Sequence, residues 1–140
     1  MIDDAIQLQV GVKVLLKNRE GKYLLVHRSA EKYPGTRGTW DIVGGRINPG
    51  QTLMENLRRE VREETGLEII GEPRLIAAQD ILRVAGRHVI RLTYVAGTDG
   101  EPKLDTKEND DHHWLTLDEL RRHDDVDIYF KELLENGAIT

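Results

Sequence analysis

The sequence predicts one mixed α/β domain, and three observations carry that prediction. Runs of alternating hydrophobicity flank a single strongly amphipathic helical segment, a second helical segment closes the chain, and the 140 residues contain no repeat, low-complexity tract or linker. The length suits a single domain over residues 1–140. Apolar residues make up 39% and charged residues 32% of the chain, so a core is affordable and wholesale disorder is excluded.

The elements follow in order. Val10, Val12, Val14 and Leu16 alternate with Gly11, Lys13 and Leu15, the two-residue period of a strand. Asn18-Arg19-Glu20-Gly21 supplies turn chemistry, and 23–28 reads as a second strand that completes a hairpin. Residues 29–38 are polar and carry Pro34, Gly35 and Gly38, which predicts a loop. A short strand over 40–43 leads into Gly44-Gly45. The clearest helix covers 52–65. Thr52 with Glu55 has the spacing of a capping box, Leu53, Leu57 and Val61 form an apolar stripe, and Gly66 with Leu67 suits a left-handed C-terminal cap. Strands over 75–82 and 88–98 make a second hairpin around 83–87. The acidic stretch 99–111 reads as an exposed loop, 112–116 as one more short strand, and 117–120 and 128–134 as helices.

Composition excludes several classes of protein. No apolar run approaches the roughly 18–20 residues of a membrane-spanning helix. The start Met1-Ile2-Asp3-Asp4 lacks the basic and apolar regions of a signal peptide. The absence of cysteine rules out disulfides, thiolate zinc sites and a cysteine nucleophile, and is consistent with a cytoplasmic location. A formal net charge of −5 argues against a stable nucleic-acid partner. An acidic protein still binds phosphates when divalent cations bridge the two.

The helix over 52–65 has a second face that supplies such a bridge. Glu60, Glu63 and Glu64 stand at i, i+3 and i+4 and share one side. Carboxylates crowded this way repel one another, whereas a hard cation such as Mg²⁺ takes them as ligands. Arg59 reaches sideways to Glu63 or Glu55 and orients the cluster. The competing reading is a solvated helix face, with Arg58, Arg59 and Arg62 as counter-charges.

The full spacing favours the first reading. Gly45, five residues, Gln51, seven residues and then Arg59-Glu60-Val61-Arg62-Glu63-Glu64-Thr65-Gly66-Leu67 resembles the Nudix box. One specified position departs from that pattern, Gln51 standing where the family has glutamate. Val43 stands where many members have proline. The resemblance continues through Trp40 and the run from Glu108 through Trp114 to Leu117-Asp118-Glu119-Leu120. It implies an α/β/α sandwich with a mixed β-sheet and hydrolysis of a nucleoside diphosphate linked to another moiety, with Mg²⁺ or Mn²⁺ as cofactor.

Carried over by resemblance, Glu60, Glu63 and Glu64, joined by the Gly45 carbonyl, hold the metal, with Arg59 beside them. Glu108 is the first choice for the base that takes a proton from water, ahead of Asp110 and Asp111, and His112 and His113 are further candidates. Arg28, Arg46 and Trp40 are candidates for substrate contact. Trp114 offers a ring for stacking on a base, but a Trp after a polar loop more often packs against the core, and Tyr33 and Trp40 share that ambiguity. Gln51 implies weaker metal binding or a lower rate. The implied partner is a small nucleotide: a (d)NTP, a nucleotide-sugar or a dinucleoside polyphosphate. A homodimer is left open. Two rivals are a nucleotide-binding module without turnover, for which only Gln51 speaks, and an isomerase-like relative, whose chemistry relies on a cysteine this chain lacks.

Overall fold

The computed structural model describes residues 6–30 and 39–140. Most of the expected 29–38 loop, Tyr33 included, lies outside the described residues. The elements are β1 (Gln7–Lys17), β2 (Tyr23–Arg28), β3 (Trp40–Asp41), β4 (Val43–Arg46), α1 (Leu53–Thr65), β5 (Ile69–Ile81), β6 (Arg87–Thr98), β7 (Asn109–Leu115), α2 (Leu117–Arg122) and α3 (Ile128–Glu135).

β1 is the hub of a mixed sheet of order β3-β2-β1-β6-β5, with β4 also on β1 and β7 also on β2. One edge of β1 pairs in parallel with β6 along its whole length, from Gln7 opposite Arg87 to Lys17 opposite Gly97. Its other edge is shared. β4 takes Gly11 to Val14 antiparallel, which leaves β2 only the pair Lys17 and Tyr23. The expected first hairpin is therefore a hairpin at its turn alone. Asn18 closes that turn, its side chain accepting from the amides of Glu20 and Lys22, and β2 then pairs with β3 and β7. The second hairpin, β5 with β6, forms as expected but starts at Ile69. Register shifts between Ile70 and Arg74 and between Leu75 and Ala77 break the alternation that periodicity reads.

Helices cover both faces, giving the expected α/β/α sandwich. Val12, Val14, Leu16, Leu24 and Val26 pack with Leu57 and Val61 of α1, whereas Leu15, Tyr23 and Leu25 pack with Leu120, Phe130 and Leu133 of α2 and α3. Strands buried on both faces read as continuous apolar runs, which describes the 14–16 and 23–26 stretches.

α1 starts where Thr52 accepts from the Glu55 amide at 3.1 Å and ends at Gly66 (φ 69°), whose N–H donates to Arg62 O. The fully reciprocal capping box is formed at α2, between Thr116 and Glu119. Leu53 stays 37% exposed, so the buried stripe is Leu57 and Val61. Residues four apart advance by about 40° around the helix, which carries the third member of the row off the buried face.

Candidate active site

Two adjacent glycines bring β4 against both β1 and α1. Gly44 has φ 147°, and a β-carbon there would stand 2.0 Å from the Val12 carbonyl oxygen, inside the backbone of the neighbouring strand. At Gly45 a β-carbon would come within 2.9 Å of Glu60 Oε2. The first glycine lets the strands pair, and the second leaves room for a carboxylate.

The three glutamates of α1 have different surroundings. Glu63 is the exposed one, its side chain 59% accessible. Arg59 Nη1 joins it to Glu60, donating to Glu60 Oε1 at 3.1 Å and Glu63 Oε2 at 3.2 Å. Of the two reaches expected for Arg59, the structure shows the one to Glu63, with Glu60 in place of Glu55. Glu64 is buried. Its Oε2 accepts from the Gly44 amide at 2.9 Å and its Oε1 from Asn109 Nδ2 at 3.1 Å. Burial pushes its carboxyl up to about 7, against the opposing pull of Lys13, Asn109 and the Gly44 N–H.

These groups open onto a cavity of about 570 Å³. Glu60, Glu63, Glu64, Asp105, Glu108 and Asp127 line it with acidic groups, and Lys13, Arg28, Arg46, Arg83 and Arg91 supply positive charge. Beneath the cations lies a buried knot. Asp41 receives Arg28 at 2.7 Å, Arg91 at 3.0 Å and Lys13 at 3.2 Å. Asp127 receives Arg28 and Arg91, each at 3.2 Å, and caps α3 by accepting from the Tyr129 and Phe130 amides. Burial alone would raise the Asp41 carboxyl, but Arg91, Lys13 and Arg28 outweigh it and hold the group well below the usual carboxylate range. The knot ties β1, β2, β3, β6 and the start of α3 together at the cavity floor.

Seven of the residues singled out from the sequence meet at this cavity: Gly45, Glu60, Glu63, Glu64, Glu108, Arg28 and Arg46 all line it. Arg28 is committed to Asp41 and Asp127, and Arg46 bonds Gln9. Trp40 is not among the lining residues. Its ring stacks on His113 at 4.5 Å and meets His27 at 4.9 Å. His112 faces Glu101 at 3.8 Å. Neither histidine lines the cavity, because β7 runs along β2 and carries them past it. Trp114 packs against the core on the α1 face. Sequence reasoning missed Asn109, the Asp41–Asp127 knot with Lys13 and Arg91, and Asn56, whose amide accepts from Arg59. Asn109 adjoins Glu108, and that adjacency was the available signal.

Among the described residues no three carboxylate or imidazole side chains converge on a single point; Arg59 holds Glu60 and Glu63, and Gly44 with Asn109 holds Glu64. The donor set is nevertheless all hard oxygen, drawn from one helix face beside a glycine that leaves space for it. Such a set fits a divalent cation of the Mg²⁺ kind.

A mixed sheet between helical layers, with this glutamate-bearing helix behind a double glycine, defines the class of the protein: the sequence model of the NUDIX domain matches residues 7–135, and the chain belongs to that family. The nucleoside triphosphatase NudI of Klebsiella pneumoniae (strain 342) is 31% identical over 121 residues, covering 79% of this chain and 83% of that one. The CTP pyrophosphohydrolase of Escherichia coli (strain K12) is 36% identical over 64 residues, 45% of this chain. Among solved structures, the MutT protein from Methanosarcina mazei Go1 superposes with a TM-score of 0.78 at 26% identity, covering 94% of this chain and 93% of that one. The chain spans less than half of the length of that CTP pyrophosphohydrolase, 46%, and 16% of the 8-oxo-dGDP phosphatase NUDT18 of Mus musculus, to which it is 36% identical over 56 residues. No helix among the described residues is long and apolar enough to cross a membrane.

Proposed function

We propose that the protein is a hydrolase that cleaves a phosphoanhydride bond in a nucleoside triphosphate or another nucleoside diphosphate derivative, with Mg²⁺ or Mn²⁺. One observation carries this reading: Glu60, Glu63, Glu64 and Glu108, from α1 and the loop before β7, line one cavity together with Lys13, Arg28, Arg46, Arg83 and Arg91. Nucleoside triphosphates come first because a relative matched over 79% of this chain is named a nucleoside triphosphatase.

Glu60, Glu63 and Glu64, with the Gly45 carbonyl, would hold the cation. A bound divalent cation neutralises phosphate oxygens and lowers the pKa of a coordinated water. Arg59 bridges and orients the carboxylates of Glu60 and Glu63, and the Gly44 N–H with Asn109 fixes Glu64. Glu108, which lines the same cavity, would take the proton of the attacking water. Arg46 and the cationic floor offset the charge of the remaining phosphates.

The test is product release from a panel of dNTPs, ADP-ribose, GDP-mannose, diadenosine polyphosphates and NADH, with Mg²⁺ or with chelator. Cation-dependent cleavage of one member is expected, and Glu63→Gln should slow it by roughly 10²-fold or more, in the range for loss of a principal charge-stabilising group. Cleavage that persists in chelator, or is unchanged in Glu63→Gln, would sink the assignment. Glu108→Gln should lower the rate more than His113→Ala.

A further inference from the structure

Asn56 is wholly buried on α1, 0% exposed. A carboxamide in that position is costly unless its hydrogen-bonding capacity is met, and an apolar side chain would pack there at no such cost. Here all four capacities are used. Nδ2 donates to Gln51 O at 3.2 Å and Thr52 O at 2.8 Å. Oδ1 accepts from the Asn48 amide and from Arg59 Nη2, both at 2.8 Å. The groups facing Oδ1 can only donate and those facing Nδ2 can only accept, so the amide has one orientation.

The bond to Arg59 reaches furthest. Arg59 Nη1 spans Glu60 and Glu63, while Nη2 rests on Asn56, so one planar guanidinium links a fixed amide inside the helix to two carboxylates at the cavity. Arg59 Nε is buried and has no partner. Gln51 lines the same surface groove as Arg59, yet its side-chain oxygen accepts from Asn48 Nδ2 at 3.5 Å. Asn56 is thus what grips the guanidinium from the side away from the glutamates. A long arginine pinned at one nitrogen presents the other in one place.

We infer that Asn56 is a positioning residue for the cation site: through Arg59 it sets the placement of Glu60 and Glu63. The inference rests on those two glutamates being cation ligands, as in the proposed function. Its effect reaches the cation through two hydrogen bonds, the kind of outer contact whose loss typically weakens metal binding by 10- to 100-fold.

Mn²⁺ titration followed by the electron paramagnetic resonance of free ion tests both layers without any substrate. Wild-type protein should bind Mn²⁺, and Glu63→Gln should weaken that binding; if wild-type protein shows none, the site assignment itself fails. Asn56→Ala should raise the Mn²⁺ Kd about tenfold. Asn56→Asp keeps an acceptor facing Arg59 while it adds a charge and loses the donor to the Gln51 and Thr52 carbonyls, so its Mn²⁺ affinity should stay within about threefold of wild type. Circular dichroism establishes that each variant is folded. Wild-type Mn²⁺ affinity in Asn56→Ala overturns the inference. A loss in Asn56→Asp as large as in Asn56→Ala also overturns it, because the amide would then act only by anchoring the start of the helix. Should Asn56→Ala fail to fold, Asn56→Asp decides alone: near-wild-type binding supports the inference, and about a tenfold loss defeats it.

Discussion

Glu64 shows how one side chain at this site is tuned by its surroundings. Its neighbours Glu60 and Glu63 sit closer to water, whereas Glu64 is buried between the Gly44 amide and Asn109. Its carboxyl lies near 7 in the folded chain against an ordinary 4.5, so between those values the folded state keeps a proton that the unfolded state has released. The stability linked to that proton is present below about 4.5 and lost as pH rises to about 7, a fall of about 3 kcal/mol at 1.36 kcal/mol per pKa unit. In chelator, thermal melts between pH 4.5 and 7.5 should show this decline, and Glu64→Gln should flatten it. An equal slope in the variant would mean that other groups carry the effect. Added Mg²⁺ should also flatten it, since a cation beside the carboxylate favours the charged form.

β4 makes the element-scale argument, because its two glycines fail in different ways when filled. At Gly44 the obstacle is backbone and the φ is one that other residues rarely adopt. At Gly45 the obstacle is the far end of the Glu60 side chain, which can swing aside. Gly44→Ala should therefore lower stability by several kcal/mol, as overpacking and backbone strain together do, within about 2–5 kcal/mol. Gly45→Ala should remain folded with a near-normal melting temperature, and should lose about tenfold or more in Mg²⁺-dependent turnover through misplacement of Glu60. Urea titrations and rate measurements on the pair separate the two roles. Equal stability losses would remove the distinction. α1 itself was legible because its signals are local. Thr52, Gly66 and the 3.6-residue period lie within one stretch of chain, and the same period places three glutamates on one side. β5 was half legible, since two register shifts spoil its alternation over 70–77.

For the molecule as a whole, the buried knot of Lys13, Arg28, Arg91, Asp41 and Asp127 joins four strands to α3 at the cavity floor. Removing one partner of such a network leaves unpaired charge inside the protein, at about 3–5 kcal/mol. Asp41→Asn takes a carboxylate from Arg28 and Arg91, which keep Asp127, and from Lys13, which keeps the Ile42 and Gly44 carbonyls, and should destabilise by about that amount in urea unfolding. A change below about 1 kcal/mol would show that the cations relax into water instead. The folded Asp41 carboxyl is held below its ordinary 3.8, so its stabilisation is present above that value and lost as pH falls beneath it. Acid unfolding of Asp41→Asn should accordingly depend less on pH than that of the wild type.

The helix with its caps, the glutamate face, the double glycine and the family box are written in contiguous sequence, and so the class of fold and the chemistry of the acidic wall were set by sequence alone. Each is a local pattern, in which covalent spacing already dictates which side chains share a face. The parallel pairing of β1 with β6, the shared edge that reduces the first hairpin to its turn, Asn109 on Glu64 and the Asp41 knot were decided only in three dimensions. They join residues 13 to 99 positions apart, from Arg28 with Asp41 to Arg28 with Asp127. Trp40 and His113, candidates by residue type, were likewise settled by strand register, which stacks them on each other outside the cavity lining. No spacing along the chain encodes such contacts; they follow from which strand edges remain open once the neighbouring strands have paired.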